Sequence, residues 1–247
     1  NTQNYVKNIL NNNFNTKNIQ INSGLIQLKN VSFSYQNNND ILKNINFTIK
    51  NNEKIGIIGR SGSGKSSLCK LLLKFYKFKG NILIDNKNIK NINTKYFKNK
   101  IIYSNQKTIL YDIPVIDNIK YGNFSDTNEI INLLKDYDLF QIFSGLNNGI
   151  YSDSGVLGNN LSGGMQKIVI ILRSILKLKK SNSFIIIFDE PLAGLDSNTR
   201  KKIIKLINDK TKNKTLIIIT HDTEILPYMN RVIDLSEINQ INYLKYK

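Results

Sequence analysis

The chain has 247 residues, a formal net charge of +17, 40% hydrophobic residues and a single cysteine. That length can bury a full core in one large domain or two small ones, and no apolar run is long enough to cross a bilayer. One cysteine excludes a disulfide framework and a cysteine-built zinc site, and makes a reducing compartment the default.

The positive charge is spread as single lysines and short pairs, not gathered into an arm. Asn, Ile and Lys are heavily used together, as an A/T-rich genome would write on any protein. That reading is preferred to a basic surface for nucleic acid or an anionic membrane.

Residues 1–23, opening Asn1-Thr2-Gln3-Asn4, carry Asn and Thr with weak apolar punctuation. They match neither a signal nor a transit pattern and read as a linker into a domain over 24–247, within a piece of a longer protein. Alternation in the first half of 25–35 predicts a half-exposed strand, 36–40 a turn, and 45–49 a second strand. Asn51-Asn52 turn the chain into Lys54–Ile58, short and β-branched as a buried strand should be.

The next residues, Gly59-Arg60-Ser61-Gly62-Ser63-Gly64-Lys65-Ser66, satisfy G-x-x-x-x-G-K-[ST] at every constrained position. From Ser67 to 73 the chain is apolar at helical spacing, and Cys69 within it reads as a small core residue. A strand, a glycine loop and a helix in this order form a mechanism. Glycines let successive N–H groups face inward, and the helix N-terminus adds partial positive charge. Lys65 then reaches the β- and γ-phosphates of a nucleoside triphosphate, and the Ser66 hydroxyl is placed to hold Mg²⁺.

Short strands follow at 80–85 and 101–104, then helical periodicity within 123–150 that Gly145 and Gly149 end. A long, almost continuously apolar helix runs over 162–178. Unbroken apolar runs at 184–188 and 215–219 predict central parallel strands covered on both faces, joined by a lysine-rich helix over 197–210. The fold class is α/β. A mainly parallel sheet carries flanking helices, an N-terminal antiparallel β subdomain and a helical subdomain inserted at about 107–178.

Asp189-Glu190 close the 184–188 strand. Two adjacent acids there are costly without a metal or a proton to manage them. Asp189 would hold magnesium through water, and Glu190 would polarise the attacking water as general base. In Leu161-Ser162-Gly163-Gly164-Met165-Gln166, a Ser-Gly-Gly at a helix start makes a second anion-binding terminus. One chain cannot easily bring both termini to the same triphosphate, which hints at a dimer with nucleotide between subunits.

Taken in order, these motifs resemble the nucleotide-binding domain of ATP-binding cassette (ABC) transporters across residues 25–235, a P-loop NTPase of ABC type. The resemblance adds Tyr35 at the adenine-stacking position, Gln106 at the magnesium-sensing loop, Leu195-Asp196 as the D-loop and His221 as the γ-phosphate switch. It implies ATP and Mg²⁺ at 59–67, with metal contacts from Ser66, Gln106 and Asp189. Glu190, His221 and Gln106 carry hydrolysis, and residues 161–166 with Asp196 act in trans on the partner's ATP. It also implies a second cassette, identical or not, a membrane domain in the same full-length chain, and a place at the cytosolic face of a membrane.

Residues 106–111 and 117–123 look like the exporter branch, and export is the expected direction. The stretches 189–196 and 220–222 look more like importer-type or free-standing subunits. Gly155-Val156-Leu157-Gly158 lacks the Glu-Arg pair usual in exporters, and Met165 and Ile168 depart from the commonest signature residues. An importer subunit, a cassette ATPase acting on nucleic acid or the ribosome, and a non-hydrolysing ATP-gated module stay open as alternatives; no nucleic-acid partner is expected.

Overall fold

The computed structural model describes residues 20–35, 40–105, 108–123 and 125–239. β1 (Ile26–Phe33) pairs antiparallel with β2 (Leu42–Ile49) and with β4 (Lys79–Ile84), and β5 (Lys87–Asn88) extends the sheet beyond β4. Leu28 faces Phe47 and Val31 faces Ile45, three residues against two. That bulge keeps both Leu28 and Val31 buried although their spacing is odd. It is why the alternation of this strand is legible only in its first half. Gly80 sits opposite the bulge at φ +81, where a Cβ would lie 2.1 Å from the Asn30 carbonyl oxygen.

The second sheet is parallel throughout, in the order β6-β7-β8-β3-β9. Its strands are β3 (Lys54–Ile58), β6 (Ile101–Ser104), β7 (Ile185–Asp189), β8 (Thr215–Ile219) and β9 (Arg231–Asp234). The period of two sends Ile185, Ile187, Ile217 and Ile219 to one face, and Ile186, Phe188, Leu216 and Ile218 to the other. Both faces are buried, as the unbroken apolar runs predict.

On the first face lie α1 (Lys65–Leu72), the antiparallel sheet and Phe97 of α2 (Thr94–Lys98). On the second lie α3 (Val115–Lys120), α4 (Thr127–Asp136), α5 (Gly163–Lys180) and α6 (Ser197–Lys210). The expected helical insert therefore shares one apolar cluster with a face of the sheet. Asn118, fully buried on α3, ties it together: its amide donates to the carbonyls of Tyr111 and Ile113 and to Ser154 Oγ, and its oxygen accepts from Arg173. A short α7 (Leu235–Ile238) follows β9.

Elements expected from periodicity lie within two residues of those found, except that the strand expected at 45–49 begins three residues earlier at Leu42, and four match end to end: 54–58, 101–104, 197–210 and 215–219. α1 begins at Lys65 and not at Ser67, so the loop lysine belongs to the first helical turn. Of the turn expected at 36–40, residues 36–39 lie outside the described residues, as do residues 1–19 of the lead-in. Its last residues are already anchored. Ile21 is buried, and Asp85 accepts the N–H groups of Asn22, Ser23 and Leu25 and the Ser23 hydroxyl. Burial raises the Asp85 carboxyl, but these bonds outweigh it and hold the group below its ordinary range.

Because β8 is covered on both faces, Ile217→Ala and Ile218→Ala should each cost about 2–5 kcal/mol in urea unfolding. A neutral result at either position would mean one face is open to water. At the end of α5, Lys179 and Lys180 both pair with Glu129 and pull its carboxyl down to about 2 from 4.5. A depressed carboxylate contributes stability above its unfolded pKa and loses it as pH falls through the folded one. Glu129→Gln should therefore lower the urea midpoint at pH 7, by an amount that shrinks between about pH 4.5 and 2.

Candidate active site

Asp189 of β7 pairs with Ile219 of β8, and Ile219 pairs with Ile57 of β3. Three adjacent strands thus end at one level, and the segments that follow them converge at the carboxyl edge of the sheet, where parallel sheets bind ligands. There a cleft of about 670 Å³ is lined by residues 61–67, Asp189, Glu190 and His221.

The phosphate loop leaves β3 through three glycines with positive φ, Gly59 at 146°, Gly62 at 79° and Gly64 at 95°. Gly64 is the tightest, since a Cβ there would lie 2.6 Å from Leu42 Cδ2 and 3.2 Å from the Ile41 carbonyl oxygen. Lys65 is 8% exposed, and its Nζ donates to the carbonyls of Gly59 (2.6 Å) and Arg60 (3.0 Å). Burial lowers its pKa, against the pull of Glu190, Asp189 and Asp234. Ser63 Oγ is buried with no hydrogen-bond partner among the described residues, as a hydroxyl kept for an anion would be. Ser66 and Asp189 line the same cleft and are hard oxygen donors, the chemistry Mg²⁺ takes alongside phosphate oxygens. The residues present fit both groups.

Asp189 is 7% exposed; Tyr103 of β6 donates to its Oδ2 at 3.0 Å. Burial raises the Asp189 pKa, while that bond and Lys167, Lys65 and Lys70 act to lower it. Glu190 adopts φ 52°, a left-handed conformation unusual for a non-glycine residue. Its N–H donates to the Ile219 carbonyl (2.9 Å), and its carbonyl accepts from Lys167 Nζ (3.1 Å). Its carboxylate accepts from the Thr220 hydroxyl (3.3 Å) and the His221 N–H (3.4 Å), with His221 Nε2 3.8 Å away. Tyr35 packs edge-on between Phe33 and Tyr76, its hydroxyl 3.3 Å from Ser67 Oγ, beside the phosphate-loop helix.

Among the described residues, none of Leu161, Ser162, Gly163, Gly164, Met165 or Gln166 lines this cleft. Ser162 caps α5, accepting from the Met165 N–H at 3.2 Å, and Gln166 donates to the carbonyls of Gly158 and Leu161. Gly164 lies close to Leu195, 3.5 Å from a Cβ placed there to Leu195 Cδ2. Asp196 caps α6 through the Thr199 N–H, which helps hold its carboxyl low. Gln106 lies outside the described residues. Sequence reasoning missed Tyr103, Lys167 and Thr220. Tyr103 is one aromatic in a short strand and carries no signal. Lys167 stands three positions after Gly164, one helical turn along, which is the only hint available.

A profile of the ABC transporter family matches residues 42–193. The chain is 40% identical over 206 residues to the ABC transporter ATM1 of Plasmodium falciparum (isolate 3D7), spanning 83% of this chain and 19% of that protein. It is 35% identical over 217 residues to a lacticin-481/lactococcin-DR transport/processing ATP-binding protein of Lactococcus lactis subsp. lactis, 86% of this chain and 30% of that protein. Among solved structures, a bacterial Atm1-family ABC exporter with ATP bound superposes at TM-score 0.81 with 26% identity, over 90% of this chain and 39% of that one. The chain thus spans less than a third of these curated relatives.

Gly62 and Gly64 separate conformation from packing. At Gly62 a Cβ meets nothing within 4 Å, so Gly62→Ala should cost only the left-handed backbone, about 1–2 kcal/mol. Gly64→Ala must also displace Leu42 and should cost about 1–3 kcal/mol more, measured by denaturant unfolding without nucleotide. Equal losses would show that the Leu42 contact relaxes freely.

Proposed function

The chain belongs to the ABC transporter family, and from that premise we propose that it is an ATP-binding and ATP-hydrolysing cassette that closes with a second cassette around ATP to power export across a membrane. One observation carries the reading. Phosphate loop, Asp189, Glu190 and His221 all line one cleft at the carboxyl edge of the sheet.

In this reading the N–H groups of residues 61–66 and the Lys65 ammonium receive the phosphates, and Tyr35 receives the base. Ser66 and Asp189, with Gln106, would hold Mg²⁺, which when bound neutralises charge on the phosphates. Glu190 takes the proton of the attacking water, and His221 holds that water from the other side. The left-handed turn at Glu190 aims its carboxylate at Thr220 and His221, the geometry such a pair needs.

Residues 161–166 stand away from this cleft in their own chain, which supports their acting on the partner's nucleotide together with Asp196. Among the described residues no helix is long and apolar enough to cross a membrane. The membrane-spanning work would fall to a domain of the same full-length chain, with this cassette at the cytosolic face. Export is favoured over import because the relatives named above include a bacterial exporter and a transport/processing protein.

The test is Glu190→Gln, run on a sizing column with and without ATP-Mg²⁺ beside a turnover assay. Loss of hydrolysis by about 10²-fold or more, with an ATP-dependent shift from monomer to dimer, is expected. A variant that turns over like its parent and never dimerises would sink both the base assignment and the sandwich.

A further inference from the structure

Glu190 is held through its N–H, its carbonyl and one carboxylate oxygen, from different elements. Its N–H goes to β8, its carboxylate to Thr220 and His221, and its carbonyl alone to α5, through Lys167 Nζ at 3.1 Å. A left-handed non-glycine persists only where its surroundings over-determine it. The ammonium on that carbonyl is what the α5 side supplies. Lys167 is half-buried, and Glu190 and Asp189 both raise its pKa against the burial that lowers it. Ser162 caps the same helix, so Lys167 directly follows the 161–166 segment assigned to the partner's nucleotide, about one helical turn after Gly163.

We propose that Lys167 is a positioning residue for Glu190, holding the left-handed turn and carrying movement of the 161–166 segment to the chain's own general base. This rests on the ATPase reading above. A helix is stiff over one turn, so contact of Ser162-Gly163-Gly164 with nucleotide on a partner displaces Lys167 with it. The Glu190 carbonyl follows, and with it the direction of the carboxylate. Each cassette would thereby align its base only when its signature segment is engaged.

The experiment compares the parent with Lys167→Met and Lys167→Arg. One measurement is steady-state ATP turnover; the other is amide hydrogen exchange of nucleotide-free protein over 187–196, with thermal unfolding as the folding control. Lys167→Met should exchange faster there and lose at least about tenfold in kcat with KM for ATP within about twofold. Lys167→Arg, which keeps a cationic donor, should restore both.

Unchanged exchange in Lys167→Met overturns the clamp whatever the turnover does. Faster exchange with unchanged kcat, or an arginine variant as slow as the methionine one, overturns the positioning role. A parent that does not hydrolyse ATP at all sinks the ATPase reading instead, while the exchange comparison still decides the clamp. Should Lys167→Met fail to fold, Lys167→Gln, polar but uncharged, takes its place.

Discussion

The common level at which β3, β7 and β8 end is the constraint on which the site depends. Parallel pairing sets Ile57 beside Ile219 and Ile219 beside Asp189. Segments more than a hundred residues apart therefore leave the sheet side by side. Slipping one strand by a single residue would exchange the faces its side chains pack on and shift its terminal carboxylate or histidine out of the cleft. Isoleucines fill both faces, so such a slip is opposed by the fit of close-packed side chains and not by a polar face. The core that stabilises the sheet also registers the chemistry.

Charge is managed within this frame by burial on one side and pairing on the other. Asp189 is nearly buried, yet Tyr103 donates to it and Lys65, Lys70 and Lys167 lie close enough to favour its ionised form. Lys65 and Lys167 are themselves disfavoured as cations by burial and sustained by the two acids. No one of these groups would be cheap alone. Together they make a site in which acids and ammoniums hold one another's charge.

The helical layer contributes more than cover. α5 presents apolar residues such as Val169, Ile171 and Leu172 to the core, while its first turn carries the serine–glycine segment and its second the lysine that reaches Glu190. Arg200 of α6 links the layer to the histidine loop, donating to the Leu195 carbonyl and pairing with Asp222 at 2.8 Å. Asn118 fastens α3 to the segment around Ser154 and to Arg173 of α5. Through Lys167 and Arg200 this layer reaches Glu190 and the loop beside His221.

By itself the sequence determined the type of most longer elements, the parallel central strands and nearly every motif, but not the short strand at 231–234 or the short helices at 94–98 and 115–120. Those features are local: a glycine loop between a strand and a helix, an acid after an apolar run, a Ser-Gly-Gly before a helical repeat. The bulge in β1 escaped because it is defined by pairing with β2, and the early anchoring of residues 21–23 because it depends on Tyr96 and Asp85, distant along the chain. Tyr103 and Lys167 were illegible for the same reason. A tyrosine in a strand and a lysine in a helix have no pattern that names their partners. Only the tertiary structure decided that they meet Asp189 and Glu190, because hydrogen bonds between elements are selected by how the sheet and helices pack, and packing joins residues that local periodicity cannot connect.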